Sequence, residues 1–223
     1  MRFRVPIVCV LGAFALILLV GVLSAAAQEE MDPLVAEILD QVEARYTRAG
    51  FSARFHLTST LKAMDVTDEA AGQLFVKYPG KMRWVYETPS PMLFITDGDS
   101  LWMYQPDENQ VTVGLASEVL GGQEGASFLS DIRLLRKAFR ISLDPGGEAG
   151  IVRLKLLPAE EANDIAEVYL KIRRDTHVIV EVITNNLYGD QTRIALTNFD
   201  FGAVLPDRLF RFDIPPGTDV LQF

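Results

Sequence analysis

Between Gly72 and Asp107 the chain reads GQLFVKYPGKMRWVYETPSPMLFITDGDSLWMYQPD, four short apolar runs separated by Pro79-Gly80, Pro89-Ser90-Pro91, Asp97-Gly98 and Pro106-Asp107. Runs of this length bounded by such pairs predict an antiparallel meander. Asp97-Gly98 is the strongest turn signal, because a tight two-residue hairpin needs positive φ at both central positions. In the second run Met82, Trp84, Tyr86 and Thr88 fall on one side, and Arg83, Val85 and Glu87 on the other. One face is aromatic and apolar; the other is largely charged.

The flanking segments extend this pattern. Before the meander, Val35, Ile38, Leu39, Val42, Tyr46 and Ala49 recur at helical spacing, with Asp32 to cap, Pro33 in the first turn and Gly50 to end the helix. Ser52 to Thr60 alternates as a strand, and the acidic stretch Ala63 to Gly72 reads as a surface loop. After the meander Val111 to Gly114 predicts one more strand. Leu115 to Phe139 then changes period: Leu129, Ile132, Leu135 and Ala138 with Phe128 make a helical stripe after a Gly121-Gly122 interruption. Strand alternation returns in Phe139 to Leu143, Ile151 to Leu157, Ile165 to Arg173, Val178 to Ile183, Thr192 to Phe201 and Leu209 to Ile214. The sum is roughly ten antiparallel strands and two helical pieces in a single domain.

Successive strands put charge on one side and large apolar groups on the other, so one continuous sheet is able to curl into a barrel or half-barrel with a greasy concave side. Two packings satisfy that pattern. Either the inward side chains and the two amphipathic helices fill a core, or the helices form a movable cover over a cavity.

Composition then sets the compartment. Arg2 and Arg4 precede an apolar run from Val5 to Leu23, with Ala25-Ala26-Ala27 before Gln28-Glu29-Glu30, which predicts a secretory signal peptide over 1–27 and a domain over 28–223. The run is also long enough for an uncleaved membrane anchor. The sole cysteine, Cys9, lies inside it, so the exported chain is expected to carry neither a disulfide nor an acceptor for an N-terminal lipid. Loss of Arg2 and Arg4 takes the bases from 21 to 19 against 30 acids, a net charge of −11. Such a surface repels nucleic acid and anionic headgroups.

Candidate chemistry is sparse. His56 and His177 stand at no metal-ligand spacing, and no G-x-S-x-G, G-x-G-x-x-G, P-loop or H-E-x-x-H occurs. The carboxylate pairs Asp97/Asp99 and Glu160/Glu161 fall in turns that already explain them. Lys171-Ile172-Arg173-Arg174 reads as a solvated strand end, with partner docking as its other reading. A non-enzymatic protein with no metal or cofactor is expected.

Three motifs in order carry a resemblance: Phe75-Val76-Lys77-Tyr78-Pro79-Gly80-Lys81-Met82-Arg83-Trp84 with Pro89; Asp97-Gly98 with Leu101-Trp102-Met103-Tyr104-Gln105-Pro106; and Phe210-Arg211-Phe212-Asp213-Ile214-Pro215-Pro216-Gly217. Together they resemble the periplasmic outer-membrane lipoprotein carrier family, LolA. The resemblance implies a mainly β fold with α: an open, incomplete antiparallel β-barrel covered by helices, LolA/LolB-like. It implies a monomer whose apolar cavity holds the acyl chains of lipoproteins, received from an inner-membrane lipoprotein-releasing ABC transporter and passed to an outer-membrane acceptor. Combined with the alternation, it makes Phe55, Leu74, Val76, Met82, Trp84, Tyr86, Val168, Leu170, Phe210 and Phe212 the expected cavity lining. The expected lid residues are Val35, Ile38, Leu39, Val42, Leu129, Ile132 and Leu135. In family members an Arg directly before the motif proline latches the lid; here Tyr78 holds that place, and a phenol lacks the charged fork. Closure would then lean on apolar contact, or the cargo would be another lipid. A lipid-binding sensor on the same fold is the alternative function, and an envelope hydrolase the enzymatic one.

Overall fold

Alternation of this kind closes into sheet only if each run finds a neighbour, and a computed structural model describing residues 31–117, 127–159 and 164–222 shows which neighbours are found. Helix α1 (Pro33–Arg48) comes first, its Leu34 amide donating to Asp32 Oδ1 at 2.8 Å. It is followed by β1 (Phe51–Leu61), β2 (Val66–Lys77), β3 (Lys81–Thr88), β4 (Met92–Asp97), β5 (Ser100–Gln105) and β6 (Gln110–Leu115). A 3-10 turn, Ser127–Ser130, leads into the short helix α2 (Leu134–Ala138). Then come β7 (Phe139–Asp144), β8 (Ile151–Pro158), β9 (Ile165–Arg173), β10 (Val178–Asn186), β11 (Gln191–Asp200) and β12 (Asp219–Gln222).

All twelve strands form one sheet, in the order β12-β6-β5-β4-β3-β2-β1-β11-β10-β9-β8-β7. The pairs are antiparallel except β12 with β6, which is parallel. The end strands β7 and β12 do not pair with each other, so the sheet is an open half-barrel. Both helices lie on its inner face. There Val35, Ile38, Leu39 and Val42 of α1, and Leu129, Ile132 and Leu135 of the α2 segment, join one buried cluster with Leu74, Trp84, Leu154, Val168 and Leu170. The outer face carries ion pairs instead, among them Arg54–Glu87 at 2.8 Å, Lys155–Glu167 at 2.7 Å and Arg193–Glu181 at 2.5 Å.

Four sequence expectations are corrected. The acidic stretch after Leu61 is strand: Thr60↔Thr67 and Leu61↔Val66 continue the β1–β2 ladder, but this end of the hairpin has no buried side and therefore no alternation. Gly50 does not end α1; Ala49 is already extended. Gly50 is instead a site of close approach, where a Cβ would lie 2.7 Å from Val76 O and 2.8 Å from Leu205 Cδ1. The stretch Leu209 to Ile214 is not a strand, because Asp207–Phe210 is a 3-10 turn and the segment after it pairs with nothing until β12. Finally, the stripe from Phe128 to Ala138 is helical only in pieces, a 3-10 turn over Ser127–Ser130 and the single short turn of α2, after which Phe139 opens β7 as the alternation predicts. The Gly121-Gly122 interruption and residues 1–27 lie outside the described residues.

Candidate lipid-binding face and its cover

The register sorts the expected lining residues by face. Leu74 pairs with Trp84 and Val76 with Met82, while Phe55 stands opposite Gly72 and Gly72 opposite Tyr86. Across the sheet Leu154 pairs with Leu170 and Leu156 with Val168. These inward positions converge: the Phe55 ring meets Trp84 and Tyr86 edge-on, each at 4.9 Å between centroids. Gly72 makes room for that triad. A Cβ there would fall 1.9 Å from Val85 O and 2.9 Å from Phe55 Cε1, at the bulge where the β2–β3 register shifts.

Phe210 and Phe212 are brought together elsewhere. Arg83, opposite in parity to Trp84, donates to Leu209 O at 3.2 Å, and it pairs with Ile95 rather than with an inward residue. The C-terminal strap therefore crosses the outer face, held by Lys77 to Leu205 O at 3.0 Å and Asp207 Oδ1 at 2.7 Å. Phe210 is fully buried there, outside the inner cluster, and Phe212 is half-buried against Tyr104 at 5.0 Å. Alternation shows that two side chains share a face; it does not say which face.

Three polar ties hold the cover. Arg136 of α2 donates to Ala36 O at 3.2 Å, pairs with Asp40, and reaches Glu43 at 3.9 Å, so α2 is fastened to α1. The Gly80 amide donates to Ser130 O at 3.0 Å, fastening the α2 segment to the β2–β3 turn. Arg133, held by Asp131 at 2.9 Å, lies 4.7 Å over the ring of Tyr78. The latch position is thus in contact with the cover through its ring face and not its hydroxyl: the cation is on the cover and the π system on the sheet. At the other end of α1, Tyr46 is buried and its hydroxyl accepts from the Ile179 amide at 3.0 Å, while its ring meets Phe51 at 5.1 Å and Phe201 at 5.6 Å. Burial pushes the Tyr46 phenol above its ordinary pKa, so it stays neutral and able to accept.

A family model described as the outer membrane lipoprotein carrier protein LolA matches residues 47–213. The chain belongs to the LolA family. Its relatives include outer-membrane lipoprotein carrier proteins of Chromobacterium violaceum, 30% identical with 77% of this chain and 80% of that one covered, and of Methylococcus capsulatus, 32% identical with 69% and 72% covered. A crystal structure of an uncharacterized conserved protein from Thermus thermophilus has the same fold, with a TM-score of 0.56 at 14% identity, covering 85% of this chain and 99% of that one.

Within this LolA-family chain, sequence reasoning missed Tyr46 as an anchor and Arg133 and Arg136 as ties. The two arginines flank Leu134 and Leu135, so their spacing signalled only an amphipathic turn. Phe94 and Leu57, packed half-buried against the inner cluster, were also left out of the lining: Phe94 sits in a run read for its turns, and Leu57 lies in the Ser52 to Thr60 strand on the side of Phe55. His56 is on the outer side, 3.6 Å from Glu69, and His177 is in the β9–β10 turn at φ 53°. Among the described residues no group of His, Cys, Asp and Glu has metal-site geometry.

Proposed function

We propose that this protein is a periplasmic carrier that binds lipoprotein acyl chains on the inner face of its sheet and moves them from an inner-membrane lipoprotein-releasing ABC transporter to an outer-membrane acceptor. The observation that carries this reading is the cover itself. An unclosed sheet presents one continuous apolar face, and the pieces closing it, α1 and the α2 segment, join the sheet by side-chain packing and a few polar ties rather than by strand pairing. The family and the names of its curated relatives support the cargo class. Residues 1–27 would serve as the export signal.

The energetics fit a carrier. Each CH₂ removed from water gains about 0.8 kcal/mol, so an acyl chain of roughly 16 carbons gains on the order of 10 kcal/mol. Acylated cargo does not cross water unaided, and a cover that is itself apolar competes with the chain for the same face. Phe55, Leu74, Val76, Met82, Trp84, Tyr86, Val168 and Leu170 are the proposed contacts; Phe210 and Phe212 belong to the outer face and leave the set.

The test is release of lipoprotein from spheroplasts into a soluble complex, with photo-methionine at Met82 as the reporter. Cargo crosslinked at Met82, and none to a photo-crosslinker at the outward Tyr169, supports the reading. Binding without release would favour a lipid sensor, and crosslinks at Tyr169 alone would remove the inner face as the site.

A further inference from the structure

β10 and β11 pair only from Glu181↔Ala195 to Asn185↔Gln191. β11 nevertheless follows β1 out to Asp200↔Ser52, and β10 follows β9 back to Val178↔Arg173. Beyond Glu181 and Ala195 the sheet therefore forks, and the Ile179 amide, with no β11 partner, turns to the Tyr46 hydroxyl. Inside the fork is a slot of about 560 Å³ with Val180, Leu196 and Phe199 along it, and with Arg45, Arg173 and Thr176 at the open end beside the β9–β10 turn. That volume is in the range of pockets that bury a small molecule. A second pocket of about 320 Å³ shares Arg45, Thr176 and Phe201 and adds Arg48.

The polar end is unsatisfied. Arg45 Nε and Thr176 Oγ1 are buried with no hydrogen-bond partner among the described residues. Among those residues Arg45, Arg48 and Arg173 also make no ion pair, in a chain with 30 acidic side chains. Two guanidinium groups and a hydroxyl lining one end of the slot match an oxyanion, and three such donor groups suit the several oxygens of a phosphate better than the two of a carboxylate.

We propose that the fork between β10 and β11 binds a single-chain, phosphate-headed amphiphile, with its aliphatic tail in the slot and its phosphate on Arg45, Arg173 and Thr176. The fork borders the inner cluster through Leu196 and takes Arg45 from the C-terminal end of α1, but the inference rests on the fork's own residues and not on the carrier reading. Binding of dodecyl phosphate below its micellar concentration, followed by titration calorimetry, is the test, with dodecyl maltoside and inorganic phosphate as the head and tail controls. Dodecyl phosphate should bind more tightly than either control. Arg45→Gln and Arg173→Gln should each weaken it about tenfold, as expected for one lost charge-assisted contact, without changing dodecyl maltoside. Val180→Trp, which fills the slot, should remove the head-dependent binding while the circular dichroism spectrum is kept. The proposal is overturned if dodecyl phosphate does not bind, if the arginine variants bind it as the parent does, or if inorganic phosphate binds equally well. Failure of the carrier reading would look different: lost lipoprotein release with dodecyl phosphate binding intact.

Discussion

Replacing Tyr46 by Phe removes one oxygen and leaves the Ile179 amide facing a ring edge. The aromatic contacts stay, since the ring still reaches Phe51 and Phe201, and Tyr46 is only 3% exposed, so water has little access. A buried donor stripped of its acceptor costs about 1–3 kcal/mol. For a chain of this size about 2 kcal/mol lowers Tm by roughly 4–8 °C, measured by thermal unfolding near neutral pH. The pH dependence gives a second check. Burial raises the folded-state pKa of this phenol above its ordinary value of 10.0, so folding favours the neutral form. The stability this confers is complete below pH 10 and is lost as pH climbs past 10, where the unfolded phenol ionises first. Tyr46→Phe carries no such term, so the gap between parent and variant should narrow above pH 10. A Tm within about 1 °C of the parent at pH 7, or a gap that widens at alkaline pH, would refute the assignment of this hydrogen bond.

Arg136→Gln cuts the tie between α2 and α1 at a partly exposed site, so stability should fall by about 1 kcal/mol or less while uptake of an apolar fluorophore quickens; an unchanged uptake rate would count against the tie. Phe210→Ala should cost about 3–5 kcal/mol in urea unfolding yet leave crosslinking at Met82 unaltered in the folded fraction, because Phe210 is buried on the outer face. Gly72→Ala drives a Cβ into Val85 O, and a loss of at least about 3 kcal/mol is expected; a neutral result would mean the β2–β3 bulge relaxes freely.

The meander was legible because its strands have one wet and one dry side, and Met82, Trp84 and Tyr86 could be assigned together from spacing alone. The start of β2 was illegible for the opposite reason: Val66, Thr67, Asp68 and Glu69 are all exposed, so the ladder is held by backbone pairing that leaves no mark on side-chain polarity. Phe210 and Phe212 show a different limit. They do share a side, but the strap bearing them lies across the outer face, and only the pairing of Arg83 with Ile95 reveals that. The fork was hidden altogether, since Val178, Ile179, Leu196 and Phe199 keep an ordinary apolar pattern through the region where their strands separate. The exchange at Tyr78 was half legible: the missing guanidinium was evident, but its counterpart Arg133 sat in the helical stripe with nothing to mark it as facing that ring.

The arrangement of ties also says how the cover would move in a carrier. The C-terminal end of α1 is pinned by the Tyr46 hydroxyl, by the Phe51 and Phe201 rings and by Arg45 lying 4.2 Å over Phe201. Its earlier turns meet α2 through Ala36, Asp40 and Glu43, all contacts of the single residue Arg136. Such a helix swings from its C-terminal end, and amide exchange should be faster over residues 34–40 than over 42–48. The apolar cost of that swing is set by Val35, Ile38, Leu39, Val42, Leu129, Ile132 and Leu135, each buried to within 8% of full occlusion. At about 1.5–3 kcal/mol per side chain, uncovering them costs on the order of 10–20 kcal/mol, the same order as one or two acyl chains bring in. An exchange between terms so nearly matched leaves a small net free energy, and a small net free energy is what the proposed carrier would need in order to take up an acyl chain and still release it.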